Sequence, residues 1–158
     1  MSDALAAEAW AVYQAAECLF DRAAVEAAVQ RLAGEVAALL GDRNPLLLCP
    51  MSGGVALAGG ELAWKVIPSA TLAGRHVLII DDVLDRGITL AALVEFCRRQ
   101  RAAAVHTLVL VDKQCQREAA IEADFVGLTA PDRYLFGWGM DYKGYLRNAP
   151  GIYAVAGT

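Results

Sequence analysis

Three closely spaced aspartates, Asp81, Asp82 and Asp85, are the residues of this 158-residue sequence best suited to chemistry. They follow the apolar run Val77-Leu78-Ile79-Ile80. Arg86-Gly87-Ile88-Thr89 comes next, and a helical pattern begins at Leu90. Carboxylates accept hydrogen bonds from sugar hydroxyls and favour hard divalent cations. A glycine loop that opens a helix offers backbone N–H groups to phosphate. Acids beside such a cradle imply a phosphorylated sugar held together with a divalent metal.

These residues need a strand to end and a helix to begin at one place, which is where open α/β sheets bind ligands. The sequence predicts a helix from residue 3 to about 19 and a second over about 22–40, capped by Asp21 and ended by Gly41. Asn44-Pro45 marks a turn before a buried strand, Leu46–Cys49. A loop, Pro50-Met51-Ser52-Gly53-Gly54, leads to a helix start at Val55–Gly59 and a strand over Glu61–Ile67. A strand over 76–80 ends at the acids, and a helix runs from Ile88 to about Arg101. Val105–Val111 is a strand with Asp112-Lys113 at its tip, and 125–128 is a short one. An aromatic, glycine-rich segment (131–142) and a final strand (Gly151–Val155) close the chain.

Strands alternating with helices predict an α/β fold, a parallel twisted sheet flanked by helices. The expected organisation is one domain over 1–158: N-terminal helices (1–43), a core sheet (44–128) and a C-terminal hood (129–158). The strand tips then bring 51–54, 81–89, 112–113 and the loops of 133–147 to one cleft.

Hydrophobic residues make up 57% of the chain and the mean hydropathy is +0.38. No apolar run approaches the roughly 18–20 residues that span a membrane. The start, MSDALAAEAW, reads as an acidic helix and not as a signal peptide. A net charge of −4 argues against nonspecific nucleic-acid binding. Cys18, Cys49, Cys97 and Cys115 form no CxxC pair and have no zinc-finger spacing with His76 or His106. The expectation is a reduced, cytoplasmic protein with mostly buried thiols.

The run Asp81-Asp82-Val83-Leu84-Asp85-Arg86-Gly87-Ile88-Thr89-Leu90 resembles the phosphoribosyl-pyrophosphate motif of type I phosphoribosyltransferases. Val111-Asp112-Lys113, Asp124-Phe125-Val126-Gly127, Pro131-Asp132-Arg133-Tyr134, Gly137 through Asp141-Tyr142, and Tyr145-Leu146-Arg147 are similar to the hypoxanthine(-guanine) branch. The similarity covers about residues 44–155. It implies transfer of a 5-phosphoribosyl group to a 6-oxopurine, with magnesium. Under it, Asp81 and Asp82 bind the ribose hydroxyls, directly or through the metal, and Asp85 is the general base near the purine imidazole nitrogen. The amides of 85–89, with Arg86, Gly87, Ile88 and the Thr89 hydroxyl, hold the 5′-phosphate. Lys113 donates to the 6-oxo group, Tyr134 stacks on the base and Leu135 faces its edge. Asp141 is a second magnesium ligand near pyrophosphate and also counts among the base-binding residues. Met51, Ser52, Gly53 and Arg147 hold pyrophosphate, with a cis peptide expected at Met51–Ser52. Homodimers or homotetramers are common in the family, and the apolar N-terminal helices are candidates for that interface. No nucleic-acid or membrane partner is implied.

Three departures stand out. Ser52 replaces a lysine frequent in the family, and Arg86 stands where a small or acidic residue is usual. Only residues 55–80 separate Gly54 from Asp81, where relatives place the rest of a helix, a core strand and a long loop carrying a Ser-Tyr pair. The join falls at Gly59-Gly60. Either a segment is missing from the sequence or the chain is a deletion, which would remove a central strand and leave the sheet needing another partner. A phosphoribosyltransferase-fold regulator that binds without catalysis, and a xanthine or pyrimidine branch, therefore remain alternatives.

Overall fold

The apolar strands and the amphipathic helices assemble as a doubly covered sheet in a computed structural model, which describes residues 2–50, 55–58, 61–64 and 70–158. In chain order the elements are α1 (Ser2–Ala15), β1 (Glu17–Phe20), α2 (Arg22–Leu40), β2 (Leu46–Leu48), β3 (Val55–Ala58), β4 (Glu61–Trp64), β5 (His76–Leu84), α3 (Ile88–Arg99), β6 (Ala104–Gln114), β7 (Phe125–Pro131), β8 (Leu135–Phe136) and β9 (Ile152–Ala154).

The central sheet is parallel, in the order β2-β5-β6-β7. Alternate residues of β5 serve opposite faces, as strand geometry requires. Val77 and Ile79 pack with Leu90, Leu93 and Cys97 of α3 on one side. Leu78 packs with Leu32 and Leu40 of α2 on the other. Burial on both faces explains why these strands read as continuous apolar runs. The Asp124 carboxylate accepts from the Thr107 N–H at 2.7 Å and from its hydroxyl at 2.9 Å, fixing the approach to β7 beside β6.

α2 begins where expected. The Asp21 carboxylate caps it by accepting from the Ala24 N–H at 2.8 Å. Gly41 is its C-cap but keeps a right-handed conformation (φ −54°). A 3-10 turn follows, and Asn44 makes the left-handed stop (φ 47°).

A second, antiparallel sheet, β1-β9-β8, forms the hood. The expected first helix is therefore too long: it ends at Ala15, and Glu17–Phe20 pair with Ile152–Ala154. Gly137 lies so close to β9 that a Cβ there would stand 2.1 Å from the Gly151 carbonyl oxygen, and its φ is +94°. Only glycine suits that site. α1 lies against the hood: Tyr13 meets Tyr153 edge-on at 5.2 Å, and Glu8 accepts from the Tyr142 hydroxyl at 2.9 Å.

Two further expectations need correction. Val55–Ala58 is not a helix start but a strand, paired antiparallel with Glu61–Trp64 apart from the other sheets. Among the described residues, β2 pairs with β5 (Leu46 opposite Val77) and forms one edge of the central sheet. The thiols are not mostly buried: Cys18 and Cys49 are exposed, Cys115 is half-buried, and only Cys97 is buried. Among the described residues, no helix is long and apolar enough to cross a membrane.

Candidate active site

The acids do not end their strand. β5 continues through Asp81 and Asp82 to Leu84, pairing Asp81 with Val109 and Leu84 with Asp112. The cause lies in the two residues after the acids. Leu84 is buried and Val83 packs on the core, so the ladder survives the charged pair. The loop begins at Asp85, and α3 opens at Gly87 (φ +81°) with no side-chain cap on its first-turn amides. Uncapped amides at a helix start suit an anion.

A cavity of about 590 Å³ lies at the carboxyl end of the parallel strands. It is lined by Pro50, by residues 81–90 and Lys113, and by Tyr134, Leu135, Met140, Asp141 and Arg147 of the hood side. Thus Asp81, Asp82, Asp85, Arg86, Gly87, Ile88, Thr89, Lys113, Tyr134, Leu135, Asp141 and Arg147, all singled out from the sequence, share one cleft. Met51, Ser52 and Gly53, with the cis peptide expected there, lie outside the described residues.

The side chains hold one another. The Lys113 Nζ is 3.2 Å from the carboxylates of both Asp85 and Asp132, and Lys113 itself is only 8% exposed. The Cys115 thiol donates to the Asp85 carboxylate at 3.4 Å. Burial pushes the thiol's pKa up first, and the bond to Asp85 adds to the rise. Arg147 donates to Asp141 at 2.5 Å and to the Gly139 carbonyl at 2.6 Å. The other Asp141 oxygen accepts from the Gly144 N–H at 2.6 Å. Arg86 points its guanidinium to Glu118 at 2.6 Å. The Tyr134 ring is half exposed, and its hydroxyl donates to the Asp141 carbonyl at 3.3 Å. Asp132, Cys115 and Met140 also belong to this neighbourhood; Asp132 and Met140 fall within the segments that carry the family resemblance but have no role attached there, and Cys115 falls in none. Their spacing from Asp85 is set by strand register, not by sequence.

Among the described residues, the group of three His, Cys, Asp or Glu whose ligand atoms converge is Asp85, Cys115 and Asp132, within 4.8 Å of one another. Lys113 already supplies the cation there. Asp81 and Asp82 fit a divalent cation for a different reason. Burial pushes the Asp81 carboxyl up to about 6, and the Asp82 charge adds to it. A cation at this pair would relieve both costs.

The sign of that shift gives a prediction. The Asp81 pKa is higher folded than unfolded, so the folded chain binds the extra proton. Its stabilising contribution is complete below about pH 4 and is lost as pH rises through about 6. The loss is on the order of 2 kcal/mol. Thermal melting should show that stability difference between pH 4 and pH 8 shrinking in Asp81→Asn. An identical pH profile in the two proteins rules it out.

The family described as "Phosphoribosyl transferase domain" matches residues 61–144. Over 102 residues the chain is 40% identical to a hypoxanthine-guanine phosphoribosyltransferase of Bacillus subtilis, covering 63% of this chain and 56% of that one. Over 84 residues it is 37% identical to the same enzyme of Aquifex aeolicus, covering 53% and 47%. The chain thus spans about half the length of the curated relatives it matches. Its fold matches that of a Trypanosoma cruzi hypoxanthine phosphoribosyltransferase solved with the product IMP. The TM-score is 0.82 at 24% identity, over 90% of this chain and 96% of that one.

Proposed function

Since the chain belongs to the Phosphoribosyl transferase domain family, we propose that it transfers the 5-phosphoribosyl group of phosphoribosyl pyrophosphate to a 6-oxopurine, hypoxanthine or guanine. The products are the nucleotide and pyrophosphate, as in purine salvage. The observation that carries the base preference is Lys113. Its ammonium is nearly buried, oriented by two carboxylates at 3.2 Å, and borders the cavity beside Tyr134. An ammonium donates and cannot accept, so it favours a 6-oxo group over a 6-amino group.

The remaining roles are those the family resemblance implies, and the shared cleft supports them. The amides of 85–89 and the Thr89 hydroxyl take the 5′-phosphate, while Arg86, turned to Glu118, contributes through its backbone. Asp81 and Asp82 take the ribose 2′ and 3′ hydroxyls and would hold magnesium, which supplies neutralising charge for the pyrophosphate. Tyr134 stacks on the base, and Leu135 lines its edge. Asp85 receives the proton that the purine nitrogen sheds as its bond to the anomeric carbon forms and the bond to pyrophosphate breaks. Arg147, with residues 51–53, holds the pyrophosphate. To do so it exchanges its bond to Asp141 for phosphate oxygens, which frees Asp141 for the metal. Alignment of these groups is the main source of rate. A cytoplasmic homodimer or homotetramer belongs to the same proposal.

The short stretch between Gly54 and Asp81 favours a second reading, a regulator that binds phosphoribosyl pyrophosphate without turning it over. The discriminating measurement is pyrophosphate release by a mass-verified chain offered hypoxanthine, guanine, xanthine and adenine. We expect release with the oxopurines and little with adenine. Tight binding without release would leave only the regulator. A preference for adenine would remove Lys113 from its role.

A further inference from the structure

Arg117 lies beyond the tip of β6, outside the motifs that drew attention to the site and outside the residues that line the cavity. Its guanidinium is nevertheless central to the back of the loop. Nη1 donates to the main-chain oxygen of Leu84 at 2.9 Å and to that of Asp85. Nη2 donates to the Asp112 carboxylate. The next two residues grip the same loop: the N–H groups of Glu118 and Ala119 donate to the Arg86 oxygen at 3.0 and 3.2 Å. Gly87 lies so close behind that a Cβ there would stand 2.8 Å from Ile121 and 3.1 Å from the Ala119 oxygen.

Three consecutive carbonyls, 84, 85 and 86, are thereby tied to one segment, 117–119. In a trans peptide the C=O of one residue and the N–H of the next point in opposite directions. Tying those carbonyls to the back turns the N–H groups of 85, 86 and 87 the other way. Asp112 anchors the arrangement to β6, because it pairs with Leu84 across the ladder.

We propose that Arg117 is a positioning residue: by bridging the carbonyls of Leu84 and Asp85 to Asp112, it aims the loop amides at the sugar 5′-phosphate and sets the direction of Asp85. This rests on the reading of 85–89 as the phosphate cradle. Arg117 itself touches no substrate. A planar fork is needed, because one side chain must reach two carbonyls and a carboxylate at fixed angles.

The test is calorimetric binding of phosphoribosyl pyrophosphate, with inorganic pyrophosphate as the control ligand, to the native chain, Arg117→Ala and Arg117→Lys. Arg117→Ala should weaken phosphoribosyl pyrophosphate by about 10- to 100-fold and leave pyrophosphate nearly unchanged. Millimolar guanidinium should restore part of the loss in Arg117→Ala and nothing in the native chain. Arg117→Lys keeps the charge without the fork and should show the same split at smaller size, which serves if Arg117→Ala does not fold. Equal weakening of both ligands with no guanidinium recovery would reduce Arg117 to a fold contact and overturn the proposal. Native-like binding in both variants would do the same. A native chain that binds pyrophosphate but not phosphoribosyl pyrophosphate instead removes the phosphate-cradle reading beneath it.

Discussion

Asp85→Asn should lower the rate of phosphoribosyl transfer by about 10²- to 10⁴-fold and leave phosphoribosyl pyrophosphate binding nearly intact. The substitution keeps the size of the side chain, so the loop that starts there stays in place. Its main-chain oxygen remains tied to Arg117, and Lys113 keeps its second partner, Asp132, at 3.2 Å. What disappears is a carboxylate able to take a proton. The Asp85 side chain is 46% exposed and borders the cavity, so it can reach a bound purine. Steady-state rates with hypoxanthine, beside calorimetric binding of the sugar phosphate, separate the two effects. Unchanged turnover would assign the proton to another group.

Lys113→Ala should weaken binding of a 6-oxopurine nucleotide by about 10- to 150-fold, the range of a charge-assisted hydrogen bond. Binding of ribose 5-phosphate should change far less. Two physical costs add in this variant. The 6-oxo group loses its donor, and Asp85 and Asp132 lose the ammonium that both share. Comparing the two ligands by calorimetry isolates the base. If both weaken equally, Lys113 acts on the whole cleft and not on the oxo group.

The elements that hold these residues were legible where local signals and tertiary needs agree. Val77–Ile80 before the acids and Gly87 before Leu90 mark a strand, a loop and a helix without help from the rest of the chain. Asp21 marks the start of α2 for the same reason. Elements that depend on a distant partner were not legible. Glu17–Phe20 continue an alanine-rich helical stretch, and they become a strand because β9 offers them a ladder. Val55–Ala58 also read as a helix start, and their extended form depends on pairing with Glu61–Trp64. Within the site, the residue types along 81–89 and at Lys113, Tyr134, Asp141 and Arg147 were readable, but their partners were not. The pairing of Arg147 with Asp141, of Lys113 with Asp132, and of Arg117 with two carbonyls arises only when separate strand ends meet. Residues 115–121 carry no motif, yet they press on the back of the phosphate loop.

The antiparallel pairing of Glu17 with Ala154 has a consequence for how this protein is made. One strand of the hood leaves the ribosome well before its partner. The parallel sheet can gather while the chain is still being synthesised, since β2, β5, β6 and β7 are all complete before β9 emerges. The hood cannot. Closing so long a stretch of chain costs entropy that only the finished ladder repays. The wall that carries Tyr134 and Leu135 over the cleft is therefore completed only after the parallel sheet. Until β9 emerges, a nascent chain holds the floor of the pocket without its finished roof.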